Sequence, residues 1–436
     1  MNKTLSILFI FFLSFGLNAQ EIETDSLKVE GWKKSGITSF IVNQTAFSNW
    51  ISGGENSVAA TLTVDYNVNY YKNGWSWDTK MIGSFGINKN SDSKYFKKID
   101  DRIEINSLIG KKFIEKFSFS SFLNFKTNVD DIDIHFIEEK GSGKNPKPLL
   151  LMHGWPGSIV EFLEIIKPLA HPEEFGGNIE DAFTVITPSL PGFGFSSAPK
   201  KPIGPRKIAE ILNKMMTENL NYKQYIAQGG DWGATIANWL GYDHSNNCKA
   251  IHINCLTMRH PDGPQTEEEK VWQNKFDNDQ VIQDGYRTQQ ATKPQTLSYA
   301  MIDSPVGIAA WIIEKMHGWS DLKDNNIESV YSKDVLLTNI MVYVLTNTFN
   351  TASWIYFGRR DEGGRYFPKD FKKINIPTGI AMFPKEMSEW PPRSYIEKIF
   401  NVKQMNKIRE GGHFAALEKP RLLIEDIRKF LNKIKL

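Results

Sequence analysis

The periodicity of the sequence changes near residue 128, and this change constrains the fold more than any other feature. Between Val58 and Tyr70, apolar and polar residues alternate, and a period of two is typical of a β-strand with one apolar face. Further along, short apolar runs such as Leu149–Met152 are separated by stretches with helical periodicity. Strands that alternate with helices form parallel sheets. The sequence therefore predicts an antiparallel β-rich segment over residues 21–127 and an α/β domain over residues 128–436.

The β-rich segment contains long, aromatic-rich strands, and Asn73-Gly74 is a strong signal for a type I′ hairpin turn. Such strands are typical of outer-membrane hairpins, and a soluble antiparallel sheet with one wet face gives the same pattern. We count about five strands, whereas bacterial membrane barrels have about eight or more, so we expect the segment to be incomplete. Residues Gly36–Gly54 (GITSFIVNQTAFSNWISGG) make it resemble an uncharacterised family of exported β-rich proteins from Gram-negative bacteria. That resemblance implies no chemistry.

The N-terminus has the features of a secretory signal. Lys3 precedes an apolar run from Leu5 to Leu17, which is shorter than the roughly 20 residues that a membrane-spanning helix needs. Ala19 offers a small residue for cleavage before Gln20. We therefore predict that residues 1–20 are a signal peptide and that the protein is exported to the periplasm or the outer membrane. Membrane association through the β-rich segment is a further hypothesis, and an interfacial anchor that is never removed is the alternative.

The charge and the cysteines exclude several classes of protein. A formal net charge of +2 without any polybasic block gives no electrostatic basis for binding nucleic acid. Two cysteines cannot form a disulfide framework or a four-thiolate metal site. Cys248 and Cys255, if both lie on one strand, are too far apart to bridge. The eight histidines show no HExxH-type spacing. We predict no nucleic-acid partner, no metal and no cofactor.

An aspartate between glycines is the sharpest chemical signal in the sequence. Asp231 lies in GGDWG (residues 229–233), between a predicted strand at Tyr225–Ala227 and a predicted helix from Trp232. Small residues two positions before and after a reactive side chain fit the strained turn on which α/β hydrolases carry their nucleophile. Esterases and lipases have serine there, and this sequence has aspartate. The alternative is an aspartate that caps the helix within a glycine turn.

Two further motifs supply partners for Asp231. HGWPG (residues 153–157) follows a predicted strand. Because Pro156 has no N–H, the backbone donor for an oxyanion must be Trp155, and Trp232 supplies the second donor. An ordinary turn at the end of a strand is the alternative. His413 lies in a glycine-rich loop before a predicted helix, and the chain order of nucleophile, acid and histidine is that of the α/β-hydrolase fold.

From about residue 128 to its end, the sequence resembles the epoxide hydrolases of the microsomal and juvenile-hormone type. The resemblance implies an α/β-hydrolase fold with an inserted helical cap, which we place at residues 259–356. Family members have an N-terminal segment that wraps the hydrolase and the cap. Here the β-rich segment lies in that place, so we interpret the chain as a fusion of a β-rich segment with a hydrolase. The matching motifs are HGWPGS (153–158), PSLPGFGFSS (188–197), GGDWG (229–233), DSPVG (303–307), LLTN (336–339) and GGHFAALEKP (411–420).

The resemblance also implies the roles of three residues. Asp231 is the nucleophile and His413 activates water. The acid that orients the histidine lies in a Phe-Pro-x-Glu segment of the family, and here that segment ends at Glu386. Glu389 and Asp262 are weaker candidates for the acid.

Tyr286 and Tyr356 match the two cap tyrosines that donate to the epoxide oxygen in the family, and a phenol in the core or on the surface is the alternative for each. The implied activity opens a small apolar epoxide to a vicinal diol, through an ester on Asp231 that water activated by His413 hydrolyses. The nearest alternative is a haloalkane dehalogenase, which has an aspartate in the same turn but needs no phenolic acid. A non-catalytic, exported, membrane-associated β-rich protein is the alternative of another class.

Overall fold

A computed structural model describes residues 31–45, 57–72, 75–90, 93, 95–111 and 124–435. The chain divides into two compact units, of which the first ends at Ser121 and the second begins at Phe122. The predicted signal peptide (residues 1–20), the Asn73-Gly74 turn and the part of Gly36–Gly54 beyond Thr45 lie outside the described residues. In the described part of the chain, no helix combines the length and the apolar character that a membrane span requires.

The N-terminal unit contains a four-stranded antiparallel sheet with the order β1-β2-β3-β4. The predicted alternating run forms most of β2, and Lys72 at its end pairs with Trp75 at the start of β3, as a two-residue hairpin requires. The expected fifth strand falls on Phe117–Phe125, of which residues 117–123 lie outside the described residues. The four strands are β1 (Gly31–Thr45), β2 (Ser57–Lys72), β3 (Trp75–Asn90) and β4 (Lys97–Lys111).

The second unit is built on an eight-stranded sheet with the order β12-β11-β10-β9-β7-β8-β6-β5. The strands from β7 to β12 pair in parallel, whereas β6 pairs antiparallel with β5 and β8. This is the predicted α/β architecture with an added edge hairpin. The strands are β5 (Asn124–Val129), β6 (Ile132–Glu139), β7 (Lys147–Met152), β8 (Phe183–Pro188), β9 (Tyr225–Gly229), β10 (Cys248–Ile253), β11 (Ile374–Met382) and β12 (Phe400–Lys407).

Strand β5 places the start of the α/β unit before the predicted boundary between residues 127 and 128. β5 pairs with β6 along its whole length, and the turn between them contains Asp130 and Asp131, both with positive φ. Phe125, which the periodicity assigns to the β-rich segment, therefore belongs to the second sheet. The ladder of backbone hydrogen bonds joins these residues to the hydrolase part of the chain.

Helices cover both faces of the second sheet. Leu149 and Leu151 of β7 pack on one face, and Leu150 and Met152 pack on the other. A strand that is buried on both faces has a continuous apolar run, and this run is what made β7 predictable. The first face is covered by α1 (Leu163–Ala170), α11 (Ala415–Glu418) and α12 (Pro420–Ile434), and the second by α2 (Pro205–Lys214), α3 (Asp231–Asp243) and α10 (Arg393–Ile399).

The cap is a group of helices inserted between β10 and β11, as predicted. Ser304 begins one of them as its N-cap, because its hydroxyl accepts a hydrogen bond from the Gly307 N–H at 3.1 Å. The predicted range 259–356 contains all of these helices except the end of the last one. They are α4 (Glu267–Gln283), α5 (Gly285–Thr292), α6 (Pro294–Met301), α7 (Pro305–Gly318), α8 (Lys333–Thr346) and α9 (Phe349–Asp361).

Candidate active site

Asp231 lies at the turn between β9 and α3, where the backbone is strained. Its φ is +46°, in the left-handed region that non-glycine residues rarely adopt. A Cβ on Gly229 would overlap the backbone of Gly233, and a Cβ on Gly233 would overlap the carbonyl oxygen of Met152. Both glycines are therefore required by the close approach of β9, α3 and β7. The turn presents the carboxylate at the C-terminal edge of the sheet, where α/β proteins bind ligands.

The loop after β7 holds one oxygen of the Asp231 carboxylate. The Trp155 N–H donates to Oδ1 at 2.8 Å, so the predicted oxyanion donor contacts the carboxylate directly. Trp232, the second predicted donor, follows Asp231 in the first turn of α3 and is buried. Its role as a backbone donor stays a prediction.

Two residues of helix α8 hold this loop in place. Asn339 donates from Nδ2 to the Pro156 carbonyl at 2.9 Å, and the Tyr343 hydroxyl donates to the Gly157 carbonyl at 2.6 Å. The Ser158 hydroxyl donates to Asn339 Oδ1 at 2.7 Å. The cap thus positions the peptide that carries the Trp155 N–H. Sequence reasoning missed both residues, although Asn339 lies in the LLTN motif.

His413 lies between two carboxylates. Its Nδ1 is 2.5 Å from Glu386 Oε1, and its Nε2 is 3.6 Å from Asp231 Oδ2. The same oxygen of Glu386 accepts a hydrogen bond from the Met387 N–H at 2.9 Å. The side chains of His413 and Glu386 are 2% and 4% exposed, so water does not weaken their interaction. The structure therefore brings together Asp231, His413 and Glu386.

The two other candidates for the acid have different partners. Glu389 forms an ion pair with Lys275 at 2.6 Å. The exposed carboxylate of Asp262 lies 3.7 Å from His260. The structure brings neither of these carboxylates to His413.

Glu418 holds the loop that carries His413. Its carboxylate accepts hydrogen bonds from the N–H groups of Gly412 at 2.8 Å, Phe414 at 2.9 Å and Asp321 at 2.8 Å. Because Asp321 follows helix α7, these bonds tie the histidine loop to the cap. Sequence reasoning missed Glu418 as well, although it lies in the GGHFAALEKP motif.

The charges around His413 favour its protonated form. Burial by itself disfavours the imidazolium, but the negative charges and hydrogen bonds of Glu386 and Asp231 outweigh burial and raise the pKa of His413 well above its usual value. The arrangement of the two carboxylates therefore favours the imidazolium form of His413.

Tyr286 of α5 and Tyr356 of α9 lie together with two tryptophans of the site. The two tyrosine rings are 5.9 Å apart in an edge-to-face arrangement. Tyr286 stacks on Trp155 at 5.3 Å, and Tyr356 contacts Trp232 edge-to-face at 4.6 Å. Burial, together with the nearby charge of Asp231, raises the pKa of both phenols. Both tyrosines therefore keep their protons at neutral pH.

A cavity bounded by the cap and the edge of the sheet brings the predicted residues to one place. Trp155 and His413 do not line it and reach the site through their contacts with Asp231. Four arginines also contribute to the wall: Arg259, Arg287, Arg359 and Arg365. The predicted residues in the wall are Asp231, Trp232, Tyr286, Tyr356, Glu386 and the weaker acid candidate Glu389.

One group of side chains at the site has the donor types of a metal centre. A thiol, a carboxylate and an imidazole of Cys255, Glu386 and His413 lie within 4.8 Å of one another. Cys255 lies beyond the end of β10 rather than on the strand with Cys248, and both are free thiols. Burial raises the pKa of Cys255 well above its usual value, and a protonated thiol is a poor metal ligand. Glu386 and His413 already bond to each other, so this group fits a metal poorly.

Three sequence families match parts of the chain. Residues 114–162 match the family described as epoxide hydrolase N terminus, and residues 147–301 match the alpha/beta hydrolase fold. Residues 42–131 match a family of proteins of unknown function, DUF3078. Because the first match begins at residue 114, part of the N-terminal segment of the epoxide hydrolases is retained rather than replaced.

Similar proteins of known name cover most of the chain. A putative epoxide hydrolase of Stigmatella aurantiaca is 37% identical over 73% of this chain and 72% of its own length. Epoxide hydrolase 1 of Sus scrofa is 35% identical over 80% of this chain and 81% of its own.

Solved structures of epoxide hydrolases are also similar to this chain. The juvenile hormone epoxide hydrolase of Bombyx mori matches with a TM-score of 0.63 at 27% identity, and the Aspergillus niger epoxide hydrolase matches with 0.62 at 32% identity. Each comparison covers 72% of this chain and 79% of the other. The chain therefore belongs to the epoxide hydrolase family of the α/β-hydrolase fold.

Proposed function

We propose that the protein opens an apolar epoxide to a vicinal diol in two steps, alkylation of Asp231 and hydrolysis of the resulting ester. The observation that carries the proposal is the environment of the Asp231 carboxylate, which has the Trp155 N–H on one oxygen and His413 near the other. An ionised carboxylate attacks a strained epoxide carbon without a general base. The histidine is therefore left for the second step.

In the first step, Oδ2 of Asp231 bonds to an epoxide carbon while the bond from that carbon to the ring oxygen breaks. Oδ2 is the nucleophile because Oδ1 is hydrogen-bonded to the Trp155 N–H. The ring oxygen departs as an alkoxide. An alkoxide is about as basic as hydroxide, and the pKa of water, the conjugate acid of hydroxide, is about 15.7. Tyr286 and Tyr356 donate a proton to it as general acids.

Alkylation changes the state of His413. The ester on Asp231 is neutral, so one of the two negative charges that raise the pKa of His413 disappears. His413 then gives up its proton, which restores the proton that Tyr286 and Tyr356 lost to the alkoxide. The histidine becomes a base only after there is an ester to hydrolyse.

In the second step, neutral His413 takes a proton from a water molecule. Glu386 keeps the ring oriented through its hydrogen bond to Nδ1. The hydroxide attacks Cγ of Asp231, and the Trp155 N–H, together with the predicted Trp232 N–H, stabilises the oxyanion. One such donor contributes about 3–4 kcal/mol to the transition state. Collapse of the intermediate breaks the ester bond, and the proton on the oxygen that came from water passes to the departing alkoxide. This releases the diol and restores the carboxylate, while His413 keeps the proton that it took from water.

Trapping the ester tests this proposal. The purified protein should convert styrene oxide to phenylethanediol. His413→Ala protein mixed with excess styrene oxide should accumulate about one adduct per chain, on the peptide that contains Asp231. Asp231→Ala should accumulate none, and Glu386→Gln should form the ester and hydrolyse it slowly. A His413→Ala protein that folds, binds the epoxide and never accumulates an ester contradicts the mechanism.

The two phenols favour this route over dehalogenation. A haloalkane dehalogenase needs N–H donors for the departing halide, whereas Tyr286 and Tyr356 offer acids suited to an alkoxide. We expect no halide release from 1,2-dibromoethane under conditions in which styrene oxide is consumed. Halide release at a comparable rate would favour the dehalogenase.

We further propose that residues 1–20 direct export of the protein and are then removed. The support is the apolar run from Leu5 to Leu17 behind Lys3. N-terminal sequencing of the protein purified from the cells that make it should begin at Gln20 or Glu21. A chain that still begins at Met1 would contradict cleavage.

A further inference from the structure

A glutamate that has no role in the mechanism described so far lies near the nucleophile. Glu161 is part of the helical turn Ile159–Phe162, which directly follows the HGWPG loop and its Ser158 cap. This turn lies beside α8, which holds the loop, and beside α11, which begins two residues after His413. The fold therefore brings Glu161 next to both the oxyanion loop and the histidine loop.

The carboxyl group of Glu161 points back over the HGWPG loop. A Cβ on Gly157 would overlap Oε1 of Glu161, so the carboxyl group occupies the space that a side chain at position 157 would take. Glu161 as a whole is only partly buried. Its carboxyl group is the part that lies inside the loop, and a glycine at position 157 is what leaves room for it.

A single residue separates this carboxyl group from the nucleophile. The Gly154 N–H donates a hydrogen bond to the carboxyl group of Glu161. On the other side, a Cβ on Gly154 would overlap the carboxylate of Asp231. Glu161 and Asp231 therefore contact the same residue, one at its N–H and the other at its Cα.

The surroundings of Glu161 favour its neutral form. Burial of the carboxyl group raises the pKa of Glu161 to about 8, although the charge of His413 acts in the opposite direction. In the ester intermediate Asp231 is neutral, and His413 is neutral when it acts as a base, so burial remains the largest influence. Glu161 therefore keeps its proton at neutral pH, and a neutral group does not repel the oxyanion that forms on Asp231.

We propose that the carboxyl group of Glu161 holds the water molecule that attacks the ester on Asp231. This water gives one proton to His413 and directs a lone pair at Cγ of Asp231. Its second proton is then free to form a hydrogen bond to the carbonyl oxygen of Glu161. A water with two fixed partners is oriented before it reacts, and correct orientation lowers the barrier. The inference rests on the proposed function, because the water has an ester to attack only after alkylation.

Measuring the two steps separately tests this role. Glu161→Met keeps the length of the side chain but removes its hydrogen bonds, so it should slow hydrolysis of the ester formed from styrene oxide by about 10²-fold and leave alkylation unchanged. Glu161→Gln is neutral and has the same shape, and its amide oxygen accepts the same hydrogen bond, so it should restore most of the hydrolysis rate. Glu164→Met, on an exposed glutamate in the first turn of α1, is the matched control and should change neither step.

Acid quenching followed by mass spectrometry of the Asp231 peptide gives both rate constants. Neither rate constant depends on the fraction of protein that has folded, because excess epoxide forms the ester and its decay is followed after the epoxide is removed. Equal losses in both steps of Glu161→Met, unchanged hydrolysis in that variant, or a Glu161→Gln protein as slow as Glu161→Met would overturn the inference, while the proposed function stands. If neither the wild type nor His413→Ala forms an ester, the proposed function is wrong and the role of Glu161 fails with it.

Discussion

At the level of single residues, the neighbours of His413 control whether its ring is protonated. Its pKa is raised because Glu386 and Asp231 outweigh burial. Folding therefore binds a proton there, and the resulting stability is complete below the unfolded pKa of about 6.5 and is lost as the pH rises through the folded pKa. Asp231→Asn should lower the pH at which His413 titrates, as measured by NMR. As the pH rises from about 6.5 through the folded pKa of His413, the Tm of the Asp231→Asn protein should fall less than the Tm of the wild type. Asp262→Asn, which changes an exposed carboxylate, is the control, and an unchanged titration in Asp231→Asn would contradict the assignment.

The two tyrosines should act on alkylation alone, because only that step produces an alkoxide. Replacing Tyr286 and Tyr356 together with phenylalanine should slow ester formation by about 10²–10⁴-fold, the usual range for general acid catalysis. Hydrolysis of ester that has already formed should hardly change. Rapid-mixing experiments that record tryptophan fluorescence can follow both steps, since Trp155 and Trp232 contact the two phenols. Tyr299→Phe, on an exposed cap residue, is the matched control, and equal losses in both steps would mean that the phenols serve packing.

Residues in short motifs could be predicted, and residues that act through distant neighbours could not. GGDWG identifies Asp231 because the strained turn needs small residues at fixed spacing. Glu386 could not be separated from Glu389 by sequence, because the choice depends on which carboxylate meets His413 in space. Asn339 donates to a carbonyl 183 positions away in the chain, and no local pattern reports such a contact.

At the level of secondary structure, the turn between β9 and α3 depends on a backbone contact that allows no side chain. Gly233→Ala should destabilise the protein by about 1–3 kcal/mol, as overpacking does, because the new Cβ would overlap the Met152 carbonyl. Gly318→Ala is the control, since nothing lies within 4 Å of its added Cβ at the end of α7, and alanine there should be neutral or stabilising by up to about 1 kcal/mol. Urea unfolding of both variants measures the difference. A Gly233→Ala protein as stable as Gly318→Ala would mean that the turn tolerates a side chain.

Strands buried on both faces were predicted more completely than strands at the edges of the sheet. β7 is a continuous apolar run because helices cover both sides of the sheet. β12 at one edge has the half-exposed sequence FNVKQMNK, which lacks such a run and was not predicted. Edge strands are defined by pairing with a neighbour, and pairing leaves less of a signal in composition than burial does.

At the level of the whole chain, the two units have sheets of different character. In the first, Ile37, Phe40 and Phe85 are 73%, 69% and 50% exposed, whereas residues Leu149–Met152 of the second are fully buried. The change in periodicity located the boundary only approximately, because β5 and β6 form an antiparallel hairpin like the strands of the first unit. The parallel α/β pattern begins only after this hairpin.

Two truncations that differ by a few residues test whether the second unit contains the whole active site. Every residue assigned to the mechanism lies within Phe122–Leu436, so a chain of residues 122–436 should retain the epoxide turnover of the longer protein. A chain of residues 128–436 lacks most of β5, which leaves backbone groups of β6 without their partners, and unpaired buried backbone groups are costly. We expect this shorter chain to have a lower Tm but the same adduct on Asp231 when His413 is also replaced. If residues 122–436 fold and bind an epoxide without turning it over, the N-terminal unit contributes to catalysis and the division of labour proposed for this chain is wrong.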